Sequence, residues 1–361
     1  MLGRVLITGL NGYIAAHTAA LFLKAGHIVR GTVRSSANAE LVVRALSKFH
    51  DGSKLEVVTV PDITCDGAFD RAVEDVQTIA HLASPVSMTV TEPEAMIRAA
   101  VKGTTSLLVS AVREYRRNSG RGVLKTVIFM SSISAVFDPT SPSTRVFTDS
   151  SWNQHAEAAT PQVLKRLKEQ GPGSDDPALG YLFYQATKVA AERAFWRFAQ
   201  EIIFPLDMIA FCPAPVLGPP LYLPESISKL SMRVRDIYDI LHGGPIPEPS
   251  PVTSTFVDVR DVAQLVFNAA EDADPGLLRR HRYLVVGQSP VSPQAIANVL
   301  REKYPERQDT IREGNPNWLT PLSQRPAFDV RMARELLGRE SIGFRQSVVD
   351  SAEVFLAAEE A

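Results

Sequence analysis

The chain has 361 residues, of which 45% are hydrophobic and 22% charged, the proportions of a folded globular protein and not of a disordered or collagen-like one. Its 38 Lys and Arg against 40 Asp and Glu leave a formal charge of −2, so there is no basic excess for non-specific nucleic-acid binding. At about 150 residues per domain the length suits two or three domains, or one large α/β body with an appendage.

Two cysteines, Cys65 and Cys212, stand far apart with no Cys-x-x-Cys spacing. They support neither a disulfide framework nor a zinc site and fit a reducing compartment. No run reaches the ~18 consecutive apolar residues that span a bilayer. The opening Met1-Leu2-Gly3-Arg4 runs at once into the apolar stretch 5–8, too short a lead for a signal peptide. The expectation is a soluble, cytoplasmic protein with no membrane or nucleic-acid partner and no metal.

In chain order, β-branched runs predict strands at 4–8, 28–34, 55–60, 78–82, 125–130 and 206–211. Helical stretches lie between them at 13–25, 37–49, 93–117 and 186–200. Strand and helix in alternation are the signature of βαβ units, and nearly continuous apolar runs mark strands buried on both faces. The predicted fold is therefore α/β, a Rossmann-type doubly wound parallel sheet. The charged segment 156–176 reads as a solvated loop with one or two helical turns, or as a mobile flap beside a site.

Beyond about residue 212 the texture changes to Pro-rich connections, since proline breaks both ladders and helices. Helices are expected at 225–242, 259–270 and 293–304, with a short strand at 283–286. The division expected is 1–212 as a dinucleotide-binding domain and 213–361 as a smaller, mainly substrate-binding one, with segments near 255–290 returning to the first.

The first strand ends in Thr8-Gly9-Leu10-Asn11-Gly12-Tyr13-Ile14-Ala15 and opens a helix. Glycines permit a tight turn and close approach of a pyrophosphate, and the helix amino terminus offers N–H groups and a positive dipole end. Gly9, Asn11, Gly12, Tyr13 and Ile14 are the expected phosphate contacts. At the end of the second strand, where an acidic residue would select NAD, stand Arg34, Ser35 and Ser36; a cation there favours the 2′-phosphate of NADP. Asp62 and Ile63 follow the third strand, and Ala83, Ser84 and Pro85 the fourth, all at strand carboxyl ends where open parallel sheets bind ligands. Asp62 either meets the adenine amino group or caps a helix.

Ser131 and Ser132 close the fifth strand, and Tyr184 and Lys188 are four apart on a helix, hence on one face. A neighbouring ammonium favours the phenolate and lowers a phenol pKa that starts near ~10, which suits Tyr184 to proton transfer. Lys188 can also hold the nicotinamide ribose, and Ser132 can polarise a carbonyl oxygen as hydride arrives. Tyr181 lacks a cationic partner at i+4, where Gln185 stands.

These motifs resemble the extended short-chain dehydrogenase/reductase superfamily, within it the dihydroflavonol 4-reductase relatives and most of all the methylglyoxal/aldehyde reductase branch. The likeness covers nearly the whole chain, through His81-Leu82-Ala83-Ser84-Pro85, Ser131-Ser132-Ile133-Ser134, Ala191-Glu192, Gly218-Pro219 and Phe256-Val257-Asp258. It implies catalysis by Ser132, Tyr184 and Lys188, a phosphate contact at Arg34 and a nicotinamide-side loop from Pro213 to Val216. The implied reaction is metal-free reduction of an aldehyde or ketone by NADPH, a ketoreductase activity, with Tyr184 as proton donor. Cys212, where such relatives often carry asparagine, and Pro215, where a larger residue is common, depart from the pattern.

Ser87, Met88, Phe137, Pro215, Leu217 and the stretch 222–241 are expected to line a pocket for an apolar or aromatic carbonyl compound. The alternatives are a sugar-nucleotide epimerase or dehydratase on the same scaffold, and a non-catalytic NADP-sensing protein. Monomer and homodimer both stay open.

Overall fold

The computed structural model describes residues 3–83, 93–117, 123–170, 177–201, 206–250, 252–272, 279–318 and 325–360. Ser84, Pro85, Ser87 and Met88 lie outside the described residues, as do positions 171–176 of the charged segment.

The elements in chain order are β1 (Arg4–Thr8), α1 (Tyr13–Lys24), β2 (Ile28–Val33), α2 (Glu40–Leu46), β3 (Leu55–Thr59), β4 (Thr78–His81), α3 (Pro93–Arg117) and β5 (Thr126–Met130). Then follow β6 (Val146–Phe147), α4 (Gln154–Gln170), α5 (Pro177–Glu201), β7 (Asp207–Pro213), β8 (Val216–Leu217) and α6 (Met232–Leu241). Last come β9 (Val257–Asp258), α7 (Val259–Glu271), β10 (Arg280–Val285), α8 (Pro293–Lys303), β11 (Ala327–Phe328), α9 (Arg331–Leu337) and α10 (Phe344–Glu359).

Seven strands form one sheet in the order β10-β7-β5-β4-β1-β2-β3, and every pairing in it is parallel. This is the doubly wound Rossmann order with one further strand, and the order reverses between β1 and β4, where such sheets bind ligands. Side-chain alternation builds the two flanking layers. Val5, Ile7, Ile128, Met130, Ile209 and Phe211 pack with α1 and α7 on one face. Leu6, Val127, Phe129, Met208 and Ala210 pack with α3 and α5 on the other. Both faces of each central strand are thus withdrawn from water, at about 1.5–3 kcal/mol per large apolar side chain.

A third apolar cluster joins α6, α8 and α10 through Val234, Ile237, Ile240, Ile296, Leu300, Val348 and Phe355. Two short parallel pairs, β6 with β11 and β8 with β9, hold the connections.

Four expectations about elements need correction. The segment at 156–176 is not a loop over its described part: it belongs to the 17-residue helix α4, whose Val163 and Leu167 pack on Leu179 and Phe183 of α5. Helix α5 starts at Pro177 and not at 186, so Tyr184 lies two turns inside it. The helix expected at 225–242 is confined to α6, because Ser226 instead caps a short turn at Ile227–Lys229 and Leu230 is extended. The strand expected at 283–286 starts three residues earlier, at Arg280, and lies beside β7 from Arg280 opposite Met208 to Val285 opposite Pro213. Among the described helices, α3 alone is long and apolar enough to cross a bilayer by length and composition, and half of that stretch is buried.

Candidate active site

The crevice between β1 and β4 is built around Thr8. Its hydroxyl oxygen accepts from the backbone N–H of Leu82 at 3.1 Å and of Ala83 at 3.0 Å, and lies 2.8 Å from Nδ1 of buried His81. With both N–H groups donating to Thr8, its own proton goes to Nδ1, so His81 is the neutral tautomer protonated at Nε2. Its pKa is pushed down to about 4, first by burial and then by the charge of Lys188.

Gly9 follows with φ +69, and a Cβ there would stand 3.1 Å from the backbone of Ala83; the left-handed turn and the close approach both call for glycine. At Gly12 a Cβ would press on the Gly9 carbonyl oxygen at 3.0 Å. No side chain caps the start of α1, whose first turn carries no acidic residue. The helix therefore presents N–H groups and its positive dipole end, as an anion site needs. Ile14 is half-buried beside this turn. The Tyr13 hydroxyl donates to the Gly218 carbonyl at 2.7 Å, so what Tyr13 offers the turn is its backbone amide.

Arg34, Ser35 and Ser36 are exposed just past β2, with no carboxylate among them. Asp62 is exposed, and its Oδ1 accepts from the Thr64 N–H at 2.8 Å and hydroxyl at 2.7 Å. Its local use is thus a turn and not a helix cap, since no helix starts there. Ile63 and Ala83 line a small cavity with His81, Met130 and Lys188.

The two serines closing β5 differ in what they touch. Ser131 donates to Oε2 of Glu192 at 2.6 Å and is spent on that bond. Ser132, 9% exposed, accepts from the Ser134 N–H at 3.1 Å, which leaves its hydroxyl proton to donate. The turn that Ser132 opens, Ile133–Ala135, packs against α5.

On α5, the buried Lys188 ammonium lies 5.8 Å from the centre of the Tyr184 ring. Tyr184 itself is half-exposed. Tyr181 is different: its hydroxyl lies 3.4 Å from the Ser134 hydroxyl, and burial pushes its pKa up to about 12. Pro213 ends β7 and is buried, while Val216 in β8 is half-buried.

Of the expected pocket lining, Phe137 packs edge-on against Phe147 and Pro215 is half-buried. Leu217 and Leu241 are enclosed in the third apolar cluster, a correction, since an enclosed side chain does not line an open mouth.

Sequence reasoning missed two features. The Tyr222 hydroxyl donates to the Asn11 carbonyl at 2.7 Å. Glu192, fully buried, is gripped by Arg282 at 2.6 and 2.9 Å. For Glu192 the usable signal was a carboxylate eight residues past Tyr184, on the inward face of the helix; for Tyr222 no local signal existed.

A seven-stranded parallel sheet, a glycine turn at its switch point and a tyrosine–lysine helix beside it define a nucleotide-dependent oxidoreductase. The GDP-mannose 4,6 dehydratase family model matches residues 6–142. C513.07 of Schizosaccharomyces pombe, described only as an uncharacterized oxidoreductase, is 32% identical over 86% of this chain and 84% of its own. The NADPH-dependent methylglyoxal reductase GRE2 of Saccharomyces cerevisiae is 26% identical over 98% of both chains. The crystal structure of Gre2 from Candida albicans in complex with NADPH superposes with a TM-score of 0.79 at 25% identity, over 98% of this chain and 99% of that one. The chain belongs to the extended short-chain dehydrogenase/reductase family.

Proposed function

We propose that this protein is an NADPH-dependent carbonyl reductase that turns an aldehyde or ketone into an alcohol, with Ser132, Tyr184 and Lys188 carrying the chemistry. The observation that supports it most is the buried Lys188 ammonium beside the Tyr184 ring on α5, on a helix packed against the turn that Ser132 opens.

The residues present fit NADPH: a glycine turn without side-chain obstruction, an uncapped helix start, and Arg34 where a carboxylate would have selected NAD. When bound, the cofactor supplies the hydride. Ser132 donates a hydrogen bond to the substrate oxygen as negative charge grows there. Tyr184 delivers the proton to that oxygen. Lys188 stabilises the phenolate left behind and holds the nicotinamide ribose. Residues 1–212 form the cofactor-binding part and 213–361 mainly the substrate-binding part, with segments near 255–290 returning to the first. Pro213 and Val216 flank the nicotinamide side, and Phe137 and Pro215 suit an apolar or aromatic substrate. Two free cysteines, exposed Cys65 and buried Cys212, fit action in the cytoplasm.

The test is to mix purified protein with NADPH and a panel of aldehydes and ketones, and to follow cofactor absorbance. Oxidation of NADPH that depends on the carbonyl is the expected result. Conversion of a nucleotide sugar with tightly held NAD would instead favour the epimerase or dehydratase reading. Cofactor binding with no turnover of any substrate would favour a sensing role.

A further inference from the structure

Glu192 lies one helical turn past Lys188 and two past Tyr184, on the inward side of α5, with no exposed surface. Its carboxylate accepts from Arg282 Nε at 2.6 Å and Nη2 at 2.9 Å, from Ser131 Oγ at 2.6 Å and from Trp196 Nε1 at 3.1 Å. The Cys212 thiol approaches it at 3.7 and 3.8 Å. Burial and then this carboxylate push the thiol pKa up to about 12, so Cys212 faces Glu192 as a protonated donor.

Arg282 continues outward from the pair. Its guanidinium donates to the carbonyl oxygens of Ser151, of Asp149 at 3.2 Å and of Ala135 at 3.4 Å, and stacks over Trp152 at 4.0 Å. Through two side chains, α5 is therefore bonded to the end of β5 next to Ser132, to the turn Ser132 opens, to residues 149–152, and to β7 and β10.

A buried ion pair is a poor way to add stability, because desolvation cancels much of the attraction and apolar replacements often do as well. What it adds is directional. The apolar contacts of α5 with the sheet, through Ala191, Phe195 and Ala199, tolerate a small slide along the helix axis. A carboxylate bonded at 2.6–2.9 Å by three donors outside α5, two on Arg282 and one on Ser131, does not. We propose that the Glu192–Arg282 pair is the positioning element of the active site, fixing the register of α5 against the end of β5 so that Tyr184 and Lys188 meet Ser132. The inference rests on the assignment of those three residues as the catalytic group.

The experiment removes the pair without leaving a lone buried charge. The double variant Glu192→Leu/Arg282→Met is compared with the parent for kcat, carbonyl KM, NADPH affinity and thermal midpoint. Expected is a fall in kcat on the order of 100-fold, the effect of a misplacement near 1 Å, with NADPH affinity and thermal midpoint close to the parent's. A purely structural pair would move the midpoint and leave kcat of the folded protein alone; kcat within about threefold of the parent's (well under the shift a tenfold step represents) overturns the proposal.

Ser131→Ala keeps the ion pair and covers the case in which the double variant fails to fold. It deletes only the bond from β5 to the carboxylate, and a drop of about tenfold in kcat with NADPH affinity unchanged is expected; an unchanged kcat overturns the proposal. Tyr184→Phe, run in parallel, separates the two levels. If it stays active, the catalytic assignment itself falls and the positioning claim with it; if it is inactive while both other variants keep full kcat, only the positioning claim falls.

Discussion

The hydroxyl of Tyr222 donates to the backbone carbonyl of Asn11 at 2.7 Å, joining residues 211 positions apart. Nearby, His17 Nε2 donates to the Pro219 carbonyl at 2.9 Å, its pKa being held down to about 4 chiefly by burial. Together with Tyr13 on Gly218, these bonds draw the 218–222 segment over the glycine turn, so the geometry of that turn depends on chain far from it in sequence.

Replacing Tyr222 by Phe removes the bond to Asn11 but keeps the ring. Net loss of one such hydrogen bond is about 0.5–1.5 kcal/mol, so NADPH should bind roughly threefold to tenfold more weakly, with kcat little changed. Fluorescence titration with NADPH and steady-state kinetics measure the two separately.

Tyr184→Phe should abolish turnover while NADPH still binds, because the ring packs alike and no proton can be delivered. Retained activity would place the proton donor elsewhere. Ser132→Ala should lower kcat by about 10²–10³, the usual cost of one donor to a developing oxyanion, again with NADPH affinity preserved.

Arg34→Ala should weaken NADPH by tenfold or more, in line with about 1.5–3 kcal/mol for a hydrogen bond to a charged group, and leave NADH nearly untouched. Equal losses for both cofactors would move the 2′-phosphate contact to another residue. Isothermal titration with each cofactor gives the comparison.

Acid should destabilise the fold through His81 and His17. Both have folded-state pKa values lowered from 6.5 to about 4. Between these values the unfolded chain binds protons that the native state refuses, so unfolding free energy falls as pH drops from 6.5 towards 4 and is unaffected by these groups above that window. For the fully enclosed His81 the loss is of order 3 kcal/mol at about 1.4 kcal/mol per pH unit. Denaturant unfolding at pH 7.5, 5.5 and 4.5 measures it (on the linear denaturant scale), and His17→Gln should shallow the slope by about one proton. A stability flat across that range would contradict the buried neutral imidazoles.

Much of the local chemistry was legible in the sequence because it is carried by short-range patterns. The glycine turn after an apolar run, the i and i+4 spacing of Tyr184 and Lys188, and the absence of a carboxylate after β2 are all readable within a few residues. The strand positions of β1 to β5 were readable for the same reason: a strand buried on both faces leaves an unbroken apolar run. The helix α4 was hidden by its charged outer face and by Pro161, while its inward residues Val163 and Leu167 show their role only against Leu179 and Phe183.

By itself, then, the order of residues determined the α/β class, the glycine turn after β1, the exposed Arg34 in place of a carboxylate after β2 and the side chains proposed for catalysis. Only the tertiary structure decided that Ser131 is committed to Glu192 and Ser132 is not, that β10 lies beside β7, and that Tyr222 reaches Asn11. The physical reason is range. Propensity and periodicity act over one or two turns of chain, whereas a buried carboxylate finds its guanidinium 90 residues away only once both strands and helix have packed and excluded the water that would otherwise solvate them.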